Sequence, residues 1–203
     1  MMTDYNIINL FPVKIIKFKF NYHDNYWFND IEKSVNLPEG WVIPLNTSFP
    51  WIDDDDTLVP SRVRDHLMCD IKDDISKVFS NLGIASNIKY KDFWYNVYHK
   101  GQGQESHDHL SKVGNLVSYW SGIYYNKNSS PTKFFRPDKI YRTQMFPGVE
   151  TCELRDAYYD NYSIDVEDGD IILFPPYLEH CIEPISLEEP DMRLTFSFNL
   201  TLS

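Results

Sequence analysis

The apolar residues of the chain follow a helical spacing in one segment and a strand-like alternation in most of the rest. In residues 61–82 the apolar positions recur three or four apart, as on a helix with one buried face. These positions are Val63, Leu67, Ile71, Ile75, Val78, Phe79 and Leu82. Ser61 can cap the start of this helix, and Gly83 is well placed to end it. The spacing therefore predicts one helix over 61–82 that packs on a sheet.

Beyond residue 84, apolar and polar residues tend to alternate, which is typical of half-buried strands. An entry strand is expected within residues 6–20, where Ile16, Phe18 and Phe20 alternate with lysines. Further strands are predicted at 93–99, 116–125, 133–137, 158–166, 171–175 and 193–200. We therefore predict a mainly β (α+β) fold. Its core would be a double-stranded β-helix of the jelly-roll or cupin-like type, buttressed by the helix near residues 61–82.

The length of 203 residues is enough for one domain with its own core. We expect a single domain over 1–203. Residues 1–88 would supply the N-terminal strand, the loops and the supporting helix, and residues 89–203 would form the jelly-roll core. The 14 Tyr, 13 Phe and 5 Trp agree with this interpretation, because aromatic side chains favour pleated sheets.

The charge and the cysteines narrow the expected partners and location. The net charge of −11 argues against broad contact with nucleic-acid phosphates. Cys69, Cys152 and Cys181 are odd in number and lack paired spacing, which favours a reducing compartment. No run of 18 apolar residues predicts a membrane span, and the first residues do not resemble a signal peptide. We expect a cytoplasmic protein that does not bind membranes; its oligomeric state is not predicted.

Three histidines form the clearest candidate for chemistry. His107 and His109 are two residues apart, so on a strand they point to the same side. His180 follows the predicted strand 171–175 and could meet them from a neighbouring strand or turn. Neutral imidazole is a common metal ligand and suits Fe, Cu, Zn and Ni. The spacing predicts a metal site at His107, His109 and His180. Asp108 is an alternative ligand, although adjacent strand residues point to opposite faces.

An ordered set of segments resembles one enzyme family. It comprises the His107–His109 pair, the strand Ser121-Gly122-Ile123-Tyr124-Tyr125, the segment Gly169-Asp170-Ile171-Ile172-Leu173-Phe174-Pro175, His180, and Arg193-Leu194-Thr195. Across roughly residues 90–200 the chain resembles the non-haem Fe(II), 2-oxoglutarate-dependent oxygenases. More narrowly, it is similar to a group related to prolyl 4-hydroxylases that is found in bacteria and phages.

The resemblance implies Fe(II), 2-oxoglutarate and O₂ as the reactive set, with ascorbate as an optional accessory. The reaction implied is hydroxylation of a substrate, with 2-oxoglutarate converted to succinate and CO₂. His107 and His180 would take the first and last ligand positions. The position of His109 usually carries Asp or Glu in the family, so a third imidazole leaves the site one unit more positive. The resemblance to the narrower group implies a His-x-His pair at these positions.

The resemblance also assigns residues to 2-oxoglutarate. Arg193, 13 residues after His180, would pair with its far carboxylate, and Thr195 on the same strand face could donate a hydroxyl. Asn96 and Tyr98 match an Asn-x-Tyr that some members use for the same ligand. Tyr124 would add a phenol to the pocket, with Tyr125 as the alternative, because only one of two neighbours on a strand can face inward.

Three other functions are compatible with the same residues. A three-His zinc hydrolase would activate water, and a cupin-type dioxygenase would use three His without 2-oxoglutarate. A non-catalytic jelly-roll binding module would not need the histidines to converge. The substrate is expected to be a small molecule or a peptidyl proline-like residue, and the sequence does not distinguish between them.

Overall fold

The computed structural model of the chain shows two antiparallel sheets and one main helix. It describes residues 12–26, 28, 31, 45–49, 63–84, 87–110, 117–138, 160–186 and 191–202. Some sequence predictions fall outside these ranges. They are residues 6–11 of the entry segment, the N-cap Ser61, the first residue of the strand predicted at 116–125, Cys152, and the first residues of the strand predicted at 158–166. Among the described residues, no helix is long and apolar enough to cross a membrane.

Ten strands are described, and three helical segments accompany them in the first half of the chain. The strands are β1 (Ile16–Lys19), β2 (Asn46–Thr47), β3 (Ile88–Tyr98), β4 (Gln104–His107), β5 (Trp120–Lys127), β6 (Lys133–Phe135), β7 (Asn161–Ser163), β8 (Asp170–Phe174), β9 (His180–Ile182) and β10 (Arg193–Leu202). A short 3₁₀ turn, His23–Asn25, follows β1. The main helix α1 spans Met68–Asn81, and a π-helical turn, Val63–Leu67, leads into it.

The strands form a large and a small antiparallel sheet. The large sheet has the order β1-β8-β5-β10-β3-β2, and the small one has the order β4-β9-β6-β7. Side chains of both sheets meet in a shared apolar cluster, where Tyr125 and Phe174 of the large sheet pack with Phe134 of the small sheet. The predicted fold class, a mainly β jelly-roll core with one supporting helix, is confirmed.

The two faces of the large sheet differ in chemistry, and strand β10 shows this most clearly. Between residues 193 and 200, its even-numbered residues belong to the cluster formed with α1; they are Leu194, Phe196, Phe198 and Leu200. Over the same stretch its odd-numbered residues are polar, buried and directed to the opposite side, which we call the barrel interior; they are Arg193, Thr195, Ser197 and Asn199. Because a strand alternates its side chains, one sequence segment both holds the helix and lines the interior.

The apolar stripe predicted for the helix packs on this sheet. Ile71 and Ile75 are fully buried, and Phe79 is 1% exposed. Gly83 has a φ of +70°, a left-handed conformation that suits glycine and ends the helix where the sequence predicts. Leu82, which the pattern placed in the stripe, lies just past the helix and is 56% exposed.

Asp74 ties the helix to the segment after β1. Its carboxylate accepts hydrogen bonds from the Asn21 backbone N–H at 3.0 Å, from Asn21 Nδ2 at 2.9 Å and from Lys77 Nζ at 3.0 Å. Burial by itself would raise the pKa of Asp74, but the Asn21 and Lys77 contacts outweigh it and the pKa is lowered. The ionised carboxylate therefore stabilises the contact between α1 and the first strand.

Gly122 lets strand β5 pass close to the aromatic core. A Cβ at this position would lie 2.2 Å from Phe198 Cε2 and 2.9 Å from Leu173 Cδ2. Such distances are far below ordinary packing contact, so a larger residue would have to displace the Phe198 ring. The glycine thus sets the spacing between β5 and the side chains of its two neighbours in the sheet, β10 and β8.

Several predicted strand ends differ from the structure. The strand predicted at 93–99 begins five residues earlier, at Ile88, and the one predicted at 116–125 runs from Trp120 to Lys127. The strand predicted at 158–166 is reduced, in the described part, to Asn161–Ser163. Pairing with a neighbour decides where a strand ends, and these neighbours are distant in sequence.

Candidate metal centre

Three histidines converge at one end of the barrel interior. His107 is the last residue of β4 and pairs in register with His180, the first residue of β9. His109 follows two residues after β4, and its backbone N–H donates to the Pro176 carbonyl at 2.8 Å. Their candidate ligand atoms all lie within 4.8 Å of one another. This spacing would allow all three rings to reach a single metal ion.

The hydrogen bonds of the three rings fix which nitrogen each one offers. Nδ1 of His107 lies 2.7 Å from the Glu105 carbonyl oxygen, and Nδ1 of His180 lies 3.0 Å from the Leu178 carbonyl oxygen. Nδ1 of His109 lies 2.9 Å from the side-chain oxygen of Asn199. A carbonyl oxygen only accepts, so each Nδ1 carries the proton and donates it. Each Nε2 then keeps its lone pair, which is the arrangement that metal-bound histidines require.

The environment keeps the three imidazoles neutral. Burial lowers the pKa of His109 to about 3, and the neighbouring His107 contributes to this shift. Burial also lowers the pKa of His107, and it lowers the pKa of His180 well below its ordinary value, with both other histidines adding to the effect. A neutral ring at pH 7 does not have to lose a proton before it binds a metal.

Asp108, the alternative ligand, points away from the histidines. Its side chain is exposed, and its carboxylate accepts a hydrogen bond from the Leu110 backbone N–H at 3.0 Å. Within the described ranges, the group of metal-ligating side chains at this place consists of His107, His109 and His180. The cluster is therefore an all-nitrogen donor set, which suits Fe, Zn, Ni or Cu better than hard cations such as Mg²⁺ or Ca²⁺.

Arg193 lies in the same barrel interior, at the start of β10, and its charge is incompletely satisfied. The residue is 1% exposed. Nη2 donates to the Ser130 carbonyl at 3.3 Å, while Nε and Nη1 have no hydrogen-bond partner among the described residues. The guanidinium carbon lies 4.7 Å from the Tyr98 ring centroid and 5.6 Å from that of Tyr125. Leaving two buried charged donors unpaired is costly, so the site is suited to an anionic ligand.

The other predicted cosubstrate residues surround Arg193. Tyr98 pairs with Arg193 across β3 and β10, and Asn96 pairs with Thr195 in the same ladder. Asn96 is 1% exposed; its Nδ2 lies 3.2 Å from Ser197 Oγ, and its Oδ1 has no partner in the described part of the chain. Tyr98 donates to Gln104 Oε1 at 3.1 Å. These four residues line one interior face, as the alternation predicts.

The placement of Tyr124 in the pocket is wrong. Its ring stacks on Phe196 in the cluster next to the helix, and its hydroxyl lies 2.8 Å from His23 Nδ1 and 3.0 Å from Asn126 Nδ2. Tyr125 takes the interior position instead, and its hydroxyl lies 2.7 Å from Thr132 Oγ1. Burial raises the pKa of Tyr125 to about 12, so the phenol is neutral beside Arg193. The alternation rule holds, but it does not say which of the two residues faces inward.

Sequence reasoning missed the residues that support His109. Asn199 Oδ1 accepts hydrogen bonds from His109 Nδ1 and from Ser121 Oγ, and Asn199 Nδ2 donates to Asp92 Oδ2. The Trp94 ring centroid lies 5.6 Å from that of His109, so an aromatic wall flanks the imidazole. The alternation of β10 puts Asn199 on the same face as Arg193, and this is the sequence signal that could have indicated it as a site residue. The sequence gives no sign of the contact between Asn199 and His109, which are 90 residues apart.

A sequence family and a group of solved structures are similar to this chain. The model of a family described as "Putative 2OG-Fe(II) oxygenase" matches residues 92–199, which is more than half of the chain. The matched segment contains all three histidines, Arg193, Thr195, Asn96 and Tyr98. No curated protein sequence matches the chain.

Three solved structures show the same fold at low sequence identity. A prolyl-4-hydroxylase from Pseudomonas putida is 11% identical with a TM-score of 0.56, covering 94% of each chain. HygX from Streptomyces hygroscopicus, with nickel and 2-oxoglutarate bound, is 12% identical with a TM-score of 0.58, covering 94% of this chain and 84% of that one. An oxidoreductase of the 2OG-Fe(II) oxygenase family from Burkholderia pseudomallei is 10% identical with a TM-score of 0.53, covering 83% and 71%.

Proposed function

Because the chain belongs to the 2OG-Fe(II) oxygenase family, whose model matches residues 92–199, we propose that it hydroxylates a C–H bond of an organic substrate. Fe(II) and 2-oxoglutarate would serve as its cofactor and cosubstrate. The family supports the general class of 2-oxoglutarate-dependent oxygenase. We also propose roles for individual residues and a class of substrate.

The three histidines fit the metal. Three buried or half-buried neutral rings, each with Nδ1 hydrogen-bonded to an oxygen, present three Nε2 lone pairs within a small volume. His107, His109 and His180 would hold Fe(II). Since three neutral ligands leave the full charge of the ion in place, we expect this site to bind the anionic cosubstrate strongly.

Arg193 and its neighbours fit the far carboxylate of 2-oxoglutarate. Nε and Nη1 are the two guanidinium nitrogens that lack partners. Each of them shares one edge of the guanidinium with Nη2, so a carboxylate could accept from either one together with Nη2. Thr195 shares the strand face and could donate its hydroxyl. Ser197 Oγ can either donate or accept, so the Asn96 amide could turn and offer Nδ2 to the cosubstrate. Tyr98, whose pKa burial raises, would stay neutral and form a wall of the pocket.

When bound, Fe(II) and 2-oxoglutarate supply with O₂ the oxidising chemistry that releases succinate and CO₂; ascorbate would act only as an accessory reductant. The chain's own residues would orient the bound groups and shield them from water. Phe174 and Trp94 contact the histidine cluster with their rings, at 4.9 Å from His180 and 5.6 Å from His109 between centroids. These rings would shield His109 and His180 from water.

For the substrate we propose a small molecule or a peptidyl proline-like residue. The formal charge of −11 favours these over the phosphate backbone of a nucleic acid, which an acidic surface would repel. The likeness to a prolyl-4-hydroxylase supports the peptide alternative only at the level of the fold.

The observation that carries the proposal is the buried, incompletely paired Arg193 in the same interior as the three histidines. Its test is conversion of 2-oxoglutarate to succinate by the Fe(II)-loaded protein in air, with and without candidate substrates. We expect slow succinate formation in the wild type, its loss in His180→Ala, and its loss in Arg193→Gln at low 2-oxoglutarate. Arg136→Gln is the matched control, because Arg136 binds Asp138 outside the site. Equal rates in all four proteins would contradict the proposal.

A further inference from the structure

A buried asparagine connects the third histidine to a carboxylate on the neighbouring strand. Asn199 is 3% exposed. Its Oδ1 lies 2.9 Å from His109 Nδ1 and 2.7 Å from Ser121 Oγ, and its Nδ2 lies 2.9 Å from Asp92 Oδ2. Hydrogen bonds thus connect His109, Ser121 and Asp92 through the Asn199 amide.

The carboxylate decides which way the amide faces. An ionised carboxylate only accepts hydrogen bonds, so Asn199 must turn its Nδ2 toward Asp92. Its Oδ1 then faces His109 and Ser121 as an acceptor. The only ring atom that can satisfy this acceptor is a protonated Nδ1, and His109 is therefore held with an unprotonated Nε2.

A β-bulge places Asp92 for this contact. In the ladder between β3 and β10, Asn199 pairs with Asp92 but Leu200 pairs with Tyr90, so Lys91 is the extra residue. Bulges change the direction of side chains near functional sites. Lys91 Nζ lies 3.7 Å from Asp92 Oδ2, and the Lys91 side chain is 3% exposed. The Lys91 ammonium thus lies beside the carboxylate that Asn199 contacts.

His109 differs from the other two histidines in how its proton is held. His107 and His180 donate to backbone carbonyls two residues before them, which no side-chain substitution removes. His109 donates to a side chain 90 residues away. A carboxylate at this position would offer an oxygen in any case, whereas an imidazole offers Nε2 only in one tautomer.

We propose that Asn199, oriented by Asp92, is a positioning residue that holds His109 in the Nδ1-protonated tautomer and so makes its Nε2 available to the metal. The metal part of this inference rests on the proposed function. The tautomer part concerns the metal-free chain alone, and the two can be tested separately.

The test uses two readouts on the full chain. Long-range ¹H–¹⁵N NMR of the metal-free protein identifies the protonated nitrogen of each histidine, with His109 assigned from the spectrum of His109→Gln. Competition titration with Ni(II) measures metal affinity. The wild type should show His109 protonated at Nδ1. In Asn199→Leu we expect a mixture of tautomers and a Ni(II) Kd about tenfold to a hundredfold higher, which is the usual cost of losing a partner of a metal ligand.

Asn126→Leu is the matched control. Asn126 is 1% exposed in the same sheet, and its Nδ2 donates to the Tyr26 carbonyl at 2.8 Å and to the Tyr124 hydroxyl at 3.0 Å, away from the histidines. Its loss should lower stability but leave the His109 tautomer and the Ni(II) Kd unchanged. If Asn199→Leu does not fold, Asp92→Asn replaces it, because the Asp92 side chain is 22% exposed and an amide there no longer dictates the orientation of Asn199.

An Nδ1-protonated His109 and a wild-type Ni(II) Kd in the variant that folds would overturn the role of Asn199. A wild type that fails to bind Ni(II) would overturn the proposed metal site instead. The NMR comparison would still decide whether Asn199 sets the tautomer, so the two failures are distinguishable.

Discussion

The Arg193→Met variant should leave the ligand-free protein folded but remove its stabilisation by 2-oxoglutarate. Methionine is long, flexible and apolar, so it can fill the space between Tyr98 and Tyr125 without polar atoms. In the wild type, Arg193 gains a hydrogen bond to Ser130 and contacts with two rings. It also leaves Nε and Nη1 without partners.

In the ligand-free protein, the stabilising contacts of Arg193 nearly cancel the cost of its two unpaired donors. The bond to Ser130 and the cation–ring contact are each worth about 2 kcal/mol. Two unpaired buried donors cost about 1–3 kcal/mol each. The net change in the free energy of unfolding should therefore stay within about 2 kcal/mol, which is a shift of roughly 4–8 °C in Tm at most for a chain of this size.

The ligand response is expected to change much more. At a 2-oxoglutarate concentration of 100 times the wild-type Kd, binding stabilises the native state by about 2.7 kcal/mol. Losing a charge-assisted pair worth about 1.5–3 kcal/mol raises the Kd about tenfold to a hundredfold. The same concentration then stabilises the variant by only about 0.4–1.4 kcal/mol.

Calorimetric unfolding of the Ni(II)-loaded protein, with and without 2-oxoglutarate, measures both effects. Arg136→Met is the matched control and should keep the full ligand shift. The reasoning is refuted if Arg193→Met loses well over 3 kcal/mol without ligand and yet retains the wild-type shift, because the guanidinium would then be a structural group.

Three further outcomes follow from the structure. Gly122→Ala should lower the free energy of unfolding by about 1–3 kcal/mol, measured by urea denaturation, because its Cβ would overlap the Phe198 ring; an unchanged midpoint would show that the ring moves freely. Asp74→Asn should destabilise the protein at pH 7 but much less at pH 3, because a lowered pKa gives stability that is present above about pH 4 and lost as the carboxylate is protonated; an equal loss at both pH values would exclude the charge as the cause. Tyr124→Phe should leave 2-oxoglutarate affinity unchanged in a calorimetric titration, since the Tyr124 hydroxyl contacts His23 and Asn126; a tenfold weaker Kd would place Tyr124 in the pocket after all.

The sequence predicted those parts of the molecule that depend on a local period. The three-to-four spacing predicts the helix that ends at Gly83, and the alternation of β10 puts Arg193 and Thr195 on one face. The His-x-His spacing similarly brings His107 and His109 to one side. Each of these follows from backbone geometry within a few residues.

Long-range pairing decides what the sequence could not show. Alternation says that Tyr124 and Tyr125 face opposite ways, but only the helix packed on the Tyr124 face identifies the inner one. The contact between Asp92 and Asn199 spans 107 residues and depends on a β-bulge. The sequence itself shows a histidine at position 109, where the family usually carries a carboxylate. The contact between Asn199 and His109, in contrast, depends on the register of two strands.

Anaerobic titration of the Fe(II)-loaded protein with 2-oxoglutarate, followed by visible absorption, tests the central claim most directly. The account predicts a saturable charge-transfer band that is absent in His180→Ala and needs a much higher 2-oxoglutarate concentration in Arg193→Met. Bound iron with no such band at any concentration would contradict the assignment of 2-oxoglutarate, and would favour a three-histidine dioxygenase or hydrolase in its place.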